Sequence, residues 1–209
     1  MFVFEFIGSA TLLIGVVGSS FMANNLTTDK ALALLINAAV TAATLGIIIK
    51  VGASVSGAHY NPAVTLANLV LKRMPASTAA LYGFTQIVGA SFGVMVANAM
   101  FDSTIIGSSS IERSGAGILL AEIVATTGLV YLALTLSEKS VWKLIPLWIF
   151  AAYFFTSSTS FANPAVSMSR VLTDAPAGIS SASVPAFVLA QIFGALLALG
   201  FVKLENKNG

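Results

Sequence analysis

Cysteine is absent from the 209 residues and histidine occurs once, at His59. Disulfides, thiolate metal sites and cysteine nucleophiles are therefore excluded, and a single imidazole makes no metal cluster. Charge is scarce as well: Asp, Glu, Lys and Arg make up 9% of the chain, against about 25% in an ordinary soluble domain. With a net charge of only +2, no nucleic-acid partner is expected. No candidate nucleophile lies near a plausible base, and no glycine-rich phosphate loop occurs, so neither an enzyme nor a bound cofactor is expected. What remains is 57% hydrophobic with a mean hydropathy of +0.93, the composition of an integral membrane protein.

A spanning helix needs roughly 20 apolar residues. Six segments qualify: Phe2–Ala23, Ala31–Ile49, Ser77–Phe101, Gly115–Leu136, Trp142–Phe155 with its flanks, and Val184–Leu204. The fifth has the shortest apolar core and runs into Thr156-Ser157-Ser158-Thr159-Ser160. The first has no basic region before it and is too long for a signal-peptide core, so it reads as a true span. Two further apolar pieces, Asn61–Lys72 and Asn163–Thr173, are too short to cross and read as re-entrant. The approach segments Val51–Ala58 and Thr156–Ser160 are rich in small and hydroxylated residues and suit extended chain lining a wet path, where irregular backbone at membrane depth is tolerated.

Orientation follows from the basic residues. With the N-terminus in the cytoplasm, Lys50, Lys72, Arg73, Lys139, Lys143, Lys203 and Lys207 lie inside, and Lys30, Arg113 and Arg170 outside. Both termini are accordingly expected to be cytoplasmic, and the brevity of the chain and its short tails suggest a prokaryotic plasma (inner) membrane.

The chain repeats itself. "HYNPAVT" at 59–65 returns as "FANPAVS" at 161–167. Glu5 and Glu122 precede the two triplets, and Gln86 and Gln191 follow them, in the same order. One channel-like domain over 1–209 is expected, with one repeat near 1–105 and the other near 114–205. Three spans per repeat force the second copy to enter the bilayer from the opposite side, and such inverted repeats with broken helices place a site at the midplane. Each triplet reads as a helix start. Asparagine is a good N-cap, proline suits the first helical position, and Ala63 and Ala165 are small enough to let two tips meet. Each helix N-terminus carries roughly +0.5 of a charge, so Asn61-Pro62-Ala63 and Asn163-Pro164-Ala165 together make a positive collar that disfavours cations without a formal charge.

With these motifs the sequence resembles the aquaporin and glycerol-facilitator family, and "SGAHYNPAVT" at 56–65 is close to that family's first signature. The resemblance covers essentially the whole chain. It implies an all-α membrane protein, six transmembrane helices plus two re-entrant half-helices in a right-handed bundle, with one pore per protomer, water and neutral solutes as cargo, and a homotetramer in the lipid bilayer. Most of the family has an arginine directly after the second triplet, where this sequence has Val166. Carried over by spacing, the other members of the family's outer constriction fall on Thr41, Ala151 and Ser160. That set holds no aromatic, histidine or charge. It implies a wide opening for glycerol, urea or uncharged hydroxides of arsenic, antimony or boron. The valine also resembles bacterial arsenic-operon aquaglyceroporins, which makes arsenous acid the specific expectation.

The remaining polar residues have two readings each. Arg170, one turn beyond Val166, can reach back to the vestibule, but snorkelling to the outer surface is the expected outcome. Glu5 and Glu122 are intramembrane acids and so candidate proton carriers; in the family such glutamates brace the re-entrant loops, and bracing is expected here. His59 is expected to line the cytoplasmic mouth rather than to gate by protonation, and Gln86 and Gln191 to brace. The Gly89-xxx-Gly93 pair reads as close helix packing and Trp142 as an interface marker. A water-selective pore, a proton-coupled secondary transporter and an ion channel are the alternatives.

Overall fold

The computed structural model describes residues 1–208 and, among them, helices and loops without strands. The order is α1 (Phe2–Leu26), α2 (Lys30–Ser56), α3 (Pro62–Val70), α4 (Ala76–Met100), α5 (Ala116–Thr135), α6 (Glu138–Phe155), α7 (Pro164–Ser169), two single 3-10 turns (Arg170–Leu172 and Ser181–Ser183), and α8 (Val184–Asn208). Lys207 falls in α8, but its side chain lies outside the described residues.

Helices α1, α2, α4, α5 and α8 are long and apolar enough to cross a membrane. Helix α6, the expected fifth span, has 18 residues, opens with Glu138, Lys139 and Lys143, and contains Pro146. The short helices begin as their sequence dictates. Asn61 and Asn163 are N-caps whose side-chain oxygens accept from Ala63 N at 2.8 Å and Ala165 N at 2.9 Å, with proline at the first turn of each. One expectation fails. The approach to the first triplet is not extended over 51–58, because α2 continues to Ser56 and stops only at Gly57, which takes the left-handed conformation (φ 83°) and donates to Ala53 O. Small residues there serve helix packing: the Tyr60 side chain lies over Gly8 and Gly52, where any Cβ would collide with it.

Within the first repeat α1 packs on α2 and α4, and within the second α5 packs on α6 and α8. The two halves interlock. Helix α3 reaches across to α5 and α8, α7 reaches across to α4, and α2 lies along α6. Backbones come close at glycine. A Cβ on Gly89 or Gly93 would strike the Phe6 or Ala10 carbonyl, and one on Gly194 would lie 2.7 Å from the Ile123 carbonyl oxygen. The outward faces carry Val3, Ile7, Ile47, Phe84, Leu120, Leu147, Leu189, Phe193 and Phe201, all more than half exposed. That is the belt a bilayer would cover.

Candidate functional site

The tips of α3 and α7 meet. Asn61 Nδ2 donates to the Ala162 carbonyl at 2.8 Å, and Asn163 Nδ2 donates to the Tyr60 carbonyl at 2.8 Å. Each asparagine thus caps its own helix through oxygen and grips the opposite loop through nitrogen. An amide nitrogen carries two hydrogens, so one N–H of each remains, and both residues line the central cavity.

Two buried carboxylates hold the loops. Glu5 accepts from Ser56 Oγ at 2.6 Å, His59 N at 3.1 Å, Tyr60 N at 2.8 Å and Gln86 Nε2 at 2.8 Å. Glu122 accepts from Phe161 N at 2.9 Å, Ala162 N at 2.9 Å and Gln191 Nε2 at 2.6 Å. The glutamines extend the frame to the short helices, reaching Thr65 Oγ1 at 3.0 Å and Ser167 Oγ at 2.8 Å. These hydroxyls in turn donate to Asn61 O and Asn163 O, both at 3.1 Å. His59 adds a ring contact, Nδ1 to Thr65 Oγ1 at 3.0 Å. The positive φ of Ala58, Tyr60, Ser160 and Ala162 shows the strained chain path that these hydrogen bonds hold in place.

A cavity of about 230 Å³ runs along these tips. Its lining combines polar residues, Thr41, His59, Asn61, Tyr153, Ser160 and Asn163, with apolar ones from the long helices, Leu12, Val16, Leu45, Ile49, Leu129, Ile145 and Ile149. Ser160 Oγ has no partner in the described residues. Beyond it, on the side of the 27–30 and 101–115 loops, opens a vestibule of about 630 Å³ lined by Asn37, Lys30, Arg113, Thr159 and Arg170 among others.

Of the constriction residues expected by spacing, Thr41, Ser160 and Val166 line the cavity together. Ala151 does not. It is exposed on the outside of α6, and the lining positions of that helix are Val141, Ile145, Ile149 and Tyr153, four residues apart. Two residues along a helix turn a side chain by about 200°, so a small difference in loop length before Asn163 sends Ala151 to the bilayer and brings Tyr153 inward. Tyr153 is 4% exposed, and its hydroxyl lies 3.1 Å from Thr41 Oγ1. Tyr60 and Phe161 are further lining aromatics missed in the sequence; the signal for Phe161 was its place at the position of His59 in the other repeat. The expected set without aromatics is therefore corrected.

Arg170 is corrected too. It is 3% exposed and does not reach the outer surface. Helix α7 has only six residues and tightens into a 3-10 turn. This turns Arg170 inward, where Nε donates to the Ala177 carbonyl and the guanidinium lies 3.5 Å from the Phe161 ring centroid.

Comparison with known proteins settles the family. Residues 1–162 match the major intrinsic protein family. The chain belongs to it. Over 202 residues it is 40% identical to aquaglyceroporin AqpS of Rhizobium meliloti (strain 1021), covering 95% of this chain and 87% of that protein. It is 28% identical over 214 residues to aquaporin NIP6-1 of Arabidopsis thaliana, with 98% and 69% coverage. Its fold is similar to the X-ray structure of the aquaglyceroporin from Plasmodium falciparum, with a TM-score of 0.76 at 20% identity over 96% of this chain and 93% of that one. This major intrinsic protein is thus a multi-pass membrane channel for water and small solutes, and not an enzyme.

Proposed function

We propose that the cavity between the two helix tips is a passive pore for water and for neutral polar solutes such as glycerol, urea and arsenous acid. Asn61, Pro62, Ala63, Asn163, Pro164 and Ala165 form its waist, and Thr41, Tyr153, Ser160, Phe161 and Val166 form its constriction. The observation that carries this reading is Val166 lining the cavity at the position where the family commonly has arginine. It leaves a constriction that mixes the hydroxyls of Thr41, Tyr153 and Ser160 with the carbon of Phe161 and Val166 and holds no formal charge. That mixed surface suits a neutral solute with both hydroxyls and carbon, and it gives an ion no replacement for its hydration shell, which costs several kcal/mol to strip. The free Ser160 hydroxyl and the remaining asparagine N–H groups supply donors along the way.

A proton-coupled transporter fits less well. Its coupling groups would be Glu5 and Glu122, and both carboxylates are buried and engaged by loop and glutamine donors. Termini in the cytoplasm, a plasma-membrane location, a single domain over 1–209 built from repeats near 1–105 and 114–205, and a homotetramer complete the proposal.

Stopped-flow light scattering on proteoliposomes, with water, glycerol, urea and arsenous acid in parallel, tests it. Val166→Arg should lower glycerol and arsenous acid flux by about tenfold, equivalent to ~1.4 kcal/mol of added barrier, with a smaller effect on water. Equal solute fluxes before and after the change would refute the constriction, and flux that depends on a proton gradient would favour the transporter.

A further inference from the structure

The constriction residues carry no charge, yet the vestibule beside them is lined by three basic residues, Lys30, Arg113 and Arg170. Arg170 and Arg113 arrive from separate loops and converge on one ring, with guanidinium carbons 3.5 Å and 5.0 Å from the Phe161 centroid. The loop at 176–178 fixes both. Arg170 Nε donates to Ala177 O, while Arg113 Nε donates to Gly178 O at 3.0 Å and Nη2 to Pro176 O at 3.2 Å. These partners are carbonyls and an aromatic face, and neither arginine forms an ion pair among the described residues; the acid whose field reaches both is Glu122, which is buried behind Phe161 and accepts from Phe161 N, Ala162 N and Gln191 Nε2. Both arginines line the vestibule together with Lys30, and no Asp or Glu is among the described lining residues. Phe161, the ring both guanidiniums face, lines the inner cavity, while the two arginines line the vestibule, so this one stack stands between the two spaces.

We infer that Arg113 and Arg170, clamped on Phe161, form a cation barrier one helical turn outward from Val166. The inference rests on reading the chain as a pore for neutral solutes. Its consequence is a separation of tasks: solute shape is sorted at Thr41, Tyr153 and Val166, and charge is sorted in the vestibule. Fixed charge in a low-dielectric cleft acts on ions at longer range than the same charge in open water, so these arginines need not touch a solute to repel a cation. Stacking on an aromatic face and carbonyl anchoring hold them in place.

The test uses the full chain in proteoliposomes. Potassium and proton leak are measured under an imposed potential and expressed per unit of water flux in the same vesicles, so that insertion and folding are read at once. Arg170→Ala should raise the leak ratio by about tenfold, the lower end of what focused charge does to local ion concentration in a cleft. Arg113→Ala/Arg170→Ala should raise it further, Arg170→Lys should hold it near the starting value, and Val166→Arg in the double variant should bring it back down. If the buried Arg170 variants carry no water, the partly exposed Arg113 carries the test, with Arg113→Glu leaking more than Arg113→Ala. A leak ratio unchanged in the double variant, or unchanged in Arg113→Glu, overturns the barrier. Low leak in the parent chain combined with absent glycerol flux would instead count against the proposed solute range and leave the barrier standing.

Discussion

The two re-entrant loops share a skeleton and differ at their mouths. In both, a buried glutamate accepts from two consecutive loop amides and from a glutamine, the glutamine also donates to a hydroxyl on the short helix, and the asparagine grips the opposite loop. At the mouths the same positions hold His59 in one loop and Phe161 in the other. His59 bonds within its own loop, whereas Phe161 carries two guanidiniums. The lesson is that the skeleton is set by backbone groups that must be satisfied away from water, a demand identical in both halves. The mouths answer to what enters from each side, and there the repeat is free to diverge.

The largest expected effect comes from the braces. The donors orphaned by Glu122→Ala are all buried, whereas two of the four orphaned by Glu5→Ala are only partly so. The first loop is also tied by Tyr60 Oη to Ile48 O at 3.0 Å and Tyr82 Oη to Ser56 O at 2.8 Å. An unsatisfied buried group costs about 1–3 kcal/mol, so Glu122→Ala should destabilise by ~3–9 kcal/mol if its three lost partners add, and Glu5→Ala by less. Thermal unfolding in detergent would break the comparison if the order were reversed.

Next come the helix contacts. Gly93→Ala drives a methyl into the Ala10 backbone, while Gly194→Ala meets the Ile123 carbonyl at a somewhat longer distance. Overpacking costs about 1–3 kcal/mol, and Gly93→Ala should sit at the upper end of that range with Gly194→Ala below it in the same unfolding assay. Equal losses would mean that the two repeats pack alike after all.

The smallest effect sharpens the constriction. Tyr153→Phe removes one hydrogen bond, to Thr41, worth about 0.5–1.5 kcal/mol. It should change the ratio of glycerol to water flux modestly, whereas Ala151→Leu should leave that ratio alone because Ala151 faces outward. Flux that responds to Ala151 and ignores Tyr153 would restore the assignment made by spacing.

Much of this architecture was legible in the sequence. The paired triplets, glutamates and glutamines gave the repeat, and capping chemistry gave the half-helix starts. The helix register at α6 was not legible: spacing counted back from Asn163 assumes a loop length, and an offset of two residues swings a helix to its opposite face. Arg170 was misread for a different reason. Its burial depends on residues 176–178 folding over it, a tertiary event that local periodicity does not encode. The stretch 51–56 was misread because small and hydroxylated residues serve both wet loops and tight helix packing, and only Tyr60 seated against Gly52 decides between them.

The crossed asparagine bonds carry a consequence for how the chain is made. When the first three spans have been synthesised, the amide of Asn61 and the carbonyl of Tyr60 have no mates, because both mates lie in residues 162–163. Neither half is a finished object by itself. Each acts as the mould for the other's tip, and the waist sets only when the later half closes on the earlier one.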